Sequence, residues 1–120
     1  MRELRDHQSN ILNKSLKITV EDNYGAGGAS CRYWIRNPQL APVEIKFHAG
    51  PMEAGSESVN GITNDALLSI IIDRLRCFQH GPFPCVETET AIKHLLRGQY
   101  WLNQRTKERE QRGVEGKEVP

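Results

Sequence analysis

The sequence lacks the features that mark a membrane or secreted protein. No apolar run approaches the roughly 20 residues that a membrane-spanning helix needs. Residues 1–10 are polar and lack the apolar centre of a signal peptide. We therefore expect a protein of the cytoplasm with no membrane partner.

The charge balance gives little support to nucleic-acid binding. The 120-residue chain has a formal net charge of only +1, whereas domains that bind nucleic acid are usually strongly basic. With 38% hydrophobic and 26% charged residues, the composition is that of an ordinary globular domain. We therefore expect one domain, and no nucleic-acid polymer as its partner.

The cysteines and histidines form no metal or catalytic motif. Cys31, Cys77 and Cys85 show no CxxC spacing, and the four histidines are too scattered to complete a zinc motif. Cys77 and Cys85 flank a turn, but a reducing cytosol disfavours a bridge between them. No histidine has a recognisable nucleophile with an orienting carboxylate. We expect reduced structural thiols, no metal, no cofactor and no catalytic residue.

Alternating apolar residues predict a small β-sheet in the first half of the chain. Leu16, Ile18 and Val20 alternate with polar residues, and residues 32–35 and 43–47 have strand-like composition or alternation. The glycine-rich connection between the first two strands is followed by no helix, so it is not a phosphate-binding loop. We expect an antiparallel sheet over residues 15–50, preceded by a loose N-terminal arm of residues 1–14.

Helical periodicity and helix-end signals predict a two-helix hairpin over residues 62–113. Thr63-Asn64-Asp65 supplies an N-cap, and an apolar helix continues as far as Phe78. After a break rich in glycine and proline, a longer helix runs over residues 86–112 and ends at Gly113. The second half of the chain is therefore expected to be an antiparallel helical hairpin.

The sheet and the hairpin together predict an α+β fold. We expect one domain over residues 15–116 and a tail of residues 117–120. The first helix is apolar around more than half of its circumference, and three strands make a small sheet. Such a domain is a poor monomer, so we expect a homo-oligomer.

The end of the second helix carries an unusual pair of arginines. Ile92, Leu95, Leu102, Arg105 and Arg109 share one helical face, so arginines continue a seam that begins with apolar residues. Two guanidinium groups one turn apart can clamp a phosphate or a pyrophosphate. The alternative is a solvated helix end, where the arginines pair with neighbouring glutamates and complement the helix dipole.

Two residues beside the turn are further candidates for a ligand site. Phe78 is either a core residue or a ring that stacks on a base. Thr88 lies in the first turn of the second helix and can cap it or donate to a ligand. Thr88 and Arg105 are 17 residues apart, roughly 25 Å along a helix. A small nucleotide cannot span that length, so a ligand that touches both ends requires two antiparallel chains.

Several motifs along residues 11–116 carry a family resemblance. They are Ile18-Thr19-Val20, Gly27-Gly28-Ala29, Tyr33-Trp34-Ile35, Phe47-His48-Ala49-Gly50-Pro51, the run Asn60 to Leu68, Asp73-Arg74-Leu75, the run Phe78 to Phe83, Arg105-Thr106, Arg109, and Arg112 to Gly116. With these motifs the chain resembles the phage Thoeris anti-defence sponge family. That family shares its helical hairpin domain with a family of anti-CBASS sponges.

The resemblance implies a binding protein and not an enzyme. Family members bind a cyclic nucleotide immune signal, typically glycocyclic ADP-ribose, and sequester it unaltered in the cytoplasm of the infected bacterial host. Some also take up cyclic di- or trinucleotides, and the family forms homodimers that can assemble into homohexamers. The family's binding residues fall on Phe78 as a stacking ring, and on Arg105 and Arg109 as phosphate ligands across a subunit boundary.

One departure from the family pattern concerns ligand preference. Where the family leads us to expect Arg-Glu-Asn after the turn cysteine, this chain has Val86-Glu87-Thr88. A hydroxyl on Thr88 thus replaces an amide that contacts the ligand, and a nearby cation is lost.

Two other classes of function compete with this interpretation. A nucleotide-cleaving anti-defence enzyme would destroy the signal and release a product. A phage structural or nucleic-acid-binding protein would ignore cyclic nucleotides altogether.

Overall fold

The computed structural model describes residues 1–23, 25, 28–49 and 60–113 of the chain. Its elements, in chain order, are β1 (Arg2–Leu4), a short 3-10 helix (Asp6–Ser9), β2 (Lys17–Val20), β3 (Arg32–Asn37), β4 (Leu40–Lys46), α1 (Asn64–Gln79) and α2 (Val86–Gln111). The expected α+β fold class is confirmed. The chain divides into two compact units, Met1–Ile62 and Thr63–Pro120, which we call the sheet unit and the hairpin unit.

The sheet unit contains a four-stranded antiparallel sheet in the order β1-β2-β3-β4. Val20 is paired with Tyr33, and Tyr33 with Ile45, so these three side chains share one face of the sheet. Val20 is 0% exposed. The period-two pattern that predicted the strands therefore places its apolar members on one face.

The structure adds a fourth strand that the sequence did not predict. β1 lies within residues 1–14, where a loose arm was expected, and pairs Arg2 with Val20 and Leu4 with Ile18. A strand of three residues is too short to show a hydrophobic period, and its pairing rests on backbone groups that every sequence carries. The pairing partner, and not local pattern, creates this strand.

A carboxylate closes the connection between β2 and β3. Asp22 accepts hydrogen bonds from the backbone N–H of Cys31 at 2.8 Å and from that of Arg32 at 3.1 Å. These bonds favour the charged carboxylate, so the pKa of Asp22 is lowered, chiefly by the bond from Cys31. Part of the glycine-rich connection, residues 24, 26 and 27, lies outside the described residues.

A second closure joins the end of β4 to residues 60–62. The side-chain amide of Asn60 accepts from the backbone N–H of Ala49 at 2.7 Å and donates to the carbonyl of Ala49 at 2.8 Å. Phe47 and Ile62 form a parallel bridge. A Cβ on Gly61 would lie 2.4 Å from the carbonyl carbon of Phe47, so only glycine allows this approach. The rest of the expected connection, residues 50–59, lies outside the described residues.

The hairpin unit begins with the capping residue that the sequence predicted. Thr63 is the N-cap of α1, and its Oγ1 accepts from the backbone N–H of Ala66 at 3.1 Å. At the other end, α2 is followed by Gly113 with a φ of 72°, a left-handed conformation suited to glycine. Both predicted helix boundaries are confirmed.

A seam of shielded side chains runs along both helices at alternating spacings of three and four residues. On α1 and α2 its members are Asp65, Leu68, Ile72, Leu75, Gln79, Thr88, Ile92, Leu95, Gln99, Leu102, Thr106 and Arg109. This spacing keeps one face of each helix turned to its partner in an antiparallel pair. Ile72 and Ile92 are 3% and 6% exposed, and they form the centre of the seam.

Gln99 of α2 lies beside the first turns of α1. Its Nε2 donates to the carbonyl of Asp65 at 3.2 Å and to Oγ of Ser69 at 2.8 Å. Asp65 is in the first turn of α1, so residues 103–111 of the 26-residue α2 lie past that turn. We call residues 103–111 the overhang.

The structure bears on the expected absence of a membrane-spanning helix and not on the expected domain bounds. In the described part of the chain, no helix combines the length and the apolar character needed to cross a membrane. The expected domain of residues 15–116 and the tail of residues 117–120 stay predictions.

Candidate ligand-binding site

Phe78 lies in the last turn of α1, at the turn end of the hairpin unit. Its side chain is 52% exposed, which in this single chain argues against the core role considered from the sequence. The guanidinium carbon of Arg74 lies 5.0 Å from the centroid of its ring, within the range of a cation–π contact. Arg74 therefore packs on one face of the Phe78 ring, and much of the rest of the ring is accessible for stacking.

The turn after Phe78 is fixed by a side chain that the sequence did not single out. Oε1 of Gln79 accepts from the backbone N–H of Cys85 at 2.9 Å, and Nε2 of Gln79 donates to the carbonyl of Cys85 at 3.0 Å. An amide as the last residue of a helix, followed by a break containing glycine and proline, is the only signal that could have pointed to it. Gln79 therefore ties the end of α1 to the beginning of α2.

Thr88 lies in the first turn of α2 and is half-buried. It is not the N-cap, because Cys85 occupies that position. The thiol of Cys85 donates to Oγ1 of Thr88 at 3.1 Å, which leaves the hydroxyl proton of Thr88 able to donate in its turn. Phe78 and Thr88 are thus brought to the two sides of the same turn.

Arg105 and Arg109 both lie on the overhang, one helical turn apart. Arg105 is exposed, whereas Arg109 is only 5% exposed. Glu108, one of the neighbouring glutamates, forms an ion pair with Arg112. The arrangement offers one accessible guanidinium beside one that its burial restrains.

Within one chain, the structure keeps the two halves of the candidate site apart. Thr88 and Arg105 belong to the same unbroken helix, Val86–Gln111, so their 17-residue separation corresponds to roughly 25 Å. Phe78 and Thr88 lie at the turn end, and the arginines lie at the opposite end. No small ligand can bridge these ends within a single hairpin.

The hairpin unit also exposes large apolar side chains outside its seam. Ile70 is 64% exposed, Tyr100 is 55% exposed and Trp101 is 64% exposed. The rings of Tyr100 and Trp101 form an edge-to-face pair with centroids 5.3 Å apart. Exposed apolar surface of this kind marks interaction sites in soluble proteins.

These features define a class of protein: a small α+β protein with an antiparallel helical hairpin that presents an aromatic ring at its turn and paired arginines at its overhang. The family model described as "Acb2/Tad1, hairpin domain" matches residues 40–107, more than half of the chain. A relative, Thoeris anti-defense 1 of Bacillus phage SBSphiJ7, is 39% identical over 99 residues, which are 82% of this chain and 68% of that protein. The chain belongs to the Thoeris anti-defence sponge family, as its motifs indicated.

The matched regions cover most of the candidate site but not all of it. The hairpin-domain match includes Phe78, Thr88 and Arg105 and ends before Arg109. Residues 114–116, the Val-Glu-Gly part of the C-terminal motif, lie outside the described residues. The roles of the four candidate residues therefore rest on geometry and resemblance.

Proposed function

We propose that this protein captures a cyclic nucleotide immune signal, glycocyclic ADP-ribose in the first place, and sequesters it without cleaving it. Cyclic di- and trinucleotides are further candidate ligands of the same kind. Membership in an anti-defence family supports the biological role, which is to stop Thoeris signalling in the cytoplasm of the infected host. The observation that carries the chemistry is the pair of arginines on the overhang.

The two arginines suit a ligand with two linked phosphates. A guanidinium group has five N–H donors in a planar fork, and it stays charged at any physiological pH. Arg105 and Arg109 are four residues apart on one helix, a spacing that lets both forks reach the same pyrophosphate. Arg105 is accessible in the single chain, whereas Arg109 is 5% exposed, so the guanidinium of Arg109 must be uncovered before it can bind a phosphate.

The groups at the turn suit the base and sugar of the same ligand. The ring of Phe78 is accessible for stacking, and stacking on an aromatic ring stabilises a bound base by about 1–3 kcal/mol. The hydroxyl of Thr88 can donate to a polar atom of the ligand. None of these groups is a strong general base, so we assign them roles in binding and not in cleavage.

One complete site requires two copies of the chain. The separation of roughly 25 Å along α2 prevents one hairpin from supplying both ends of the site. In an antiparallel homodimer, the turn of one protomer lies against the overhang of its partner. Because a two-fold axis makes both contacts equivalent, such a dimer holds two sites, and the exposed Tyr100 and Trp101 provide surface for the association. Assembly of dimers into a homohexamer is compatible with this arrangement.

Sequestration of a signal requires a low dissociation constant. A sponge must hold its ligand at low concentration, and a nanomolar dissociation constant corresponds to about 12 kcal/mol. Two charge-assisted arginine contacts and one stacked base, enclosed between two protomers, are contacts of the strength required. Slow release, and not turnover, is the expected kinetic signature.

The proposal is tested by titration followed by release of the ligand. The purified protein is titrated in a calorimeter with glycocyclic ADP-ribose, linear ADP-ribose, a panel of cyclic di- and trinucleotides, and a DNA duplex. We expect tight binding of a cyclic nucleotide with one ligand per chain, and intact ligand after heat denaturation of the complex. A cleaved product would show an enzyme instead, and binding of DNA with no binding of any cyclic nucleotide would show a nucleic-acid-binding protein.

A further inference from the structure

We propose that Gln79 is a positioning residue of the ligand site, which sets the spacing between the ring of Phe78 and the hydroxyl of Thr88. This inference rests on the proposed function, because it concerns the turn half of the same site. Gln79 itself need not touch the ligand. It acts by joining the two helix ends that carry the ligand groups.

The first argument is the double hydrogen bond between Gln79 and Cys85. The side-chain amide meets both backbone groups of Cys85, at 2.9 Å and 3.0 Å, as a neighbouring β-strand would. Gln79 is the last residue of α1, and Cys85 is the N-cap of α2. The side chain of Gln79 therefore closes the turn. It also accepts from the N–H of Cys85, which has no hydrogen-bond partner within α2.

The second argument is the short path from this pair to both ligand groups. Phe78 directly precedes Gln79 in the last turn of α1, so its backbone is held by the same closure. On the other side, the thiol of Cys85 donates to Oγ1 of Thr88 at 3.1 Å. A continuous series of bonds thus runs from the helix end that carries Phe78 to the hydroxyl of Thr88.

The third argument is that the direction of the amide is determined. Nε2 of Gln79 lies 3.4 Å from Oε2 of Glu89 and also donates to the carbonyl of Cys85. Both of these neighbours are acceptors, so the NH2 group must face them and Oε1 must face the N–H of Cys85. A glutamate at position 79 would place a carboxylate oxygen, in place of the NH2 group, against the carbonyl of Cys85 and the carboxylate of Glu89.

The geometry calls for two substitutions that separate positioning from general stability. Gln79→Met keeps the length of the side chain and removes both hydrogen bonds to Cys85. We expect it to weaken ligand capture by about tenfold, the effect of losing one or two hydrogen bonds. Gln99→Met is the matched control, because Gln99 also bonds α1, at the other end of the hairpin unit. The control is expected to lower the melting temperature while leaving capture unchanged.

Gln79→Glu adds a readout that a purely structural role does not move. Its charged carboxylate is repelled by Glu89 and by the carbonyl of Cys85, whereas its protonated form can donate again. Capture by Gln79→Glu is therefore expected to be weak at neutral pH and to recover on acidification. Arg76, His80, Cys85 and Glu89 are also near this position, so each measurement is divided by that of the natural protein at the same pH.

A double-mutant cycle completes the test. If Gln79 acts through Phe78 and Thr88, then adding Gln79→Met to a Phe78→Ala, Thr88→Ala variant should cost almost nothing more. Equal capture by the natural protein, Gln79→Met and Gln79→Glu would overturn this inference and leave the proposed function standing. Losses that simply add in the cycle would also overturn it. Failure of the natural protein to bind any cyclic nucleotide would overturn the proposed function, and this inference with it.

Discussion

Different chemical groups stabilise the sheet unit and the hairpin unit. In the sheet unit, backbone ladders join the strands, and Asp22 and Asn60 close connections by bonding main-chain atoms. In the hairpin unit, side chains pack along a seam, and the amides of Gln79 and Gln99 tie its two ends. All four candidate ligand groups belong to the hairpin unit. We infer that the sheet unit can be destabilised without changing ligand capture, whereas capture depends on the ligand groups of the hairpin unit.

The largest effect is expected at the overhang. Arg105→Ala removes an accessible guanidinium without disturbing the seam, and the loss of a charge that is hydrogen-bonded in a complex costs about 2–5 kcal/mol. We expect ligand capture to fall by at least about 30-fold while the oligomer persists. Calorimetric titration and light scattering measure the two properties. Arg109→Ala should also abolish capture, but its burial adds a cost in stability.

Two further variants decide whether the Arg105 effect is specific. Lys107→Ala removes the same charge from the opposite face of the overhang, where the side chain is exposed, and should leave capture almost unchanged. Arg105→Lys keeps the charge but loses the planar fork, so we expect an intermediate loss. Equal affinities for Arg105→Ala and the natural protein would refute the assignment of the phosphate ligands.

A smaller effect, confined to stability, is expected in the sheet unit. In Gly61→Ala the new Cβ would meet backbone atoms of Phe47 and His48 at 2.4–2.7 Å, and backbone cannot move aside as a flexible side chain does. Forced overpacking of this kind costs about 1–3 kcal/mol. Chemical denaturation should show that loss, whereas the folded fraction should bind ligand with unchanged affinity. A variant that stays as stable as the natural protein would show that the approach of residues 61 and 47 is not needed.

The same substitution in the hairpin unit should have the opposite sign. Gly98 lies within α2, and a Cβ there would meet nothing within 4 Å in this chain. Alanine is favoured over glycine inside a helix by roughly 0.5–1 kcal/mol, so Gly98→Ala should stabilise the protein by about that amount. Thermal unfolding measures the shift. Destabilisation together with dissociation of the oligomer would instead place Gly98 in the contact between protomers.

The smallest effect is expected at Asp22. Its pKa is lowered from 3.8 in the folded chain, so its contribution to stability is present above that value and is lost as the pH falls through the folded pKa. Asp22→Asn should be slightly less stable than the natural protein at neutral pH. The difference should vanish in strong acid, where both side chains are uncharged. Unfolding curves over a pH series measure it, and a constant difference at every pH would contradict a contribution from the carboxylate charge.

Much of the fold could be predicted because its signals are local. The alternation at Ile18 and Val20, the capping hydroxyl of Thr63 and the terminal Gly113 each act within a few residues of their position. The candidate ligand residues were also found from the sequence, partly by helical spacing and partly by family resemblance. Their assembly across two protomers stays a prediction, as do the dimer and the hexamer.

What could not be predicted depends on groups that are far apart in the sequence or have no periodic pattern. β1 forms because Arg2–Leu4 pair with β2. A three-residue segment has no sequence pattern that predicts this pairing. Gln79 looked like an ordinary polar residue at a helix end, and its role appears only when Cys85 is brought within 3.0 Å. The exposure of Arg105 was not predicted either, because the sequence placed it on the same helical face as Arg109, whereas in the structure Thr106 occupies the seam.

The sequence by itself determined the class of the segments after residue 14 and the ends of both helices, and it correctly placed Arg109, but not the exposed Arg105, on the seam. These properties follow from the periods of strand and helix and from the chemistry of single residues. The tertiary structure alone decided that Arg2–Leu4 pair with β2, that one amide closes the turn, and that Arg109 is buried while Arg105 is exposed. These are contacts between separate elements, and a one-dimensional pattern cannot encode them until the chain has folded.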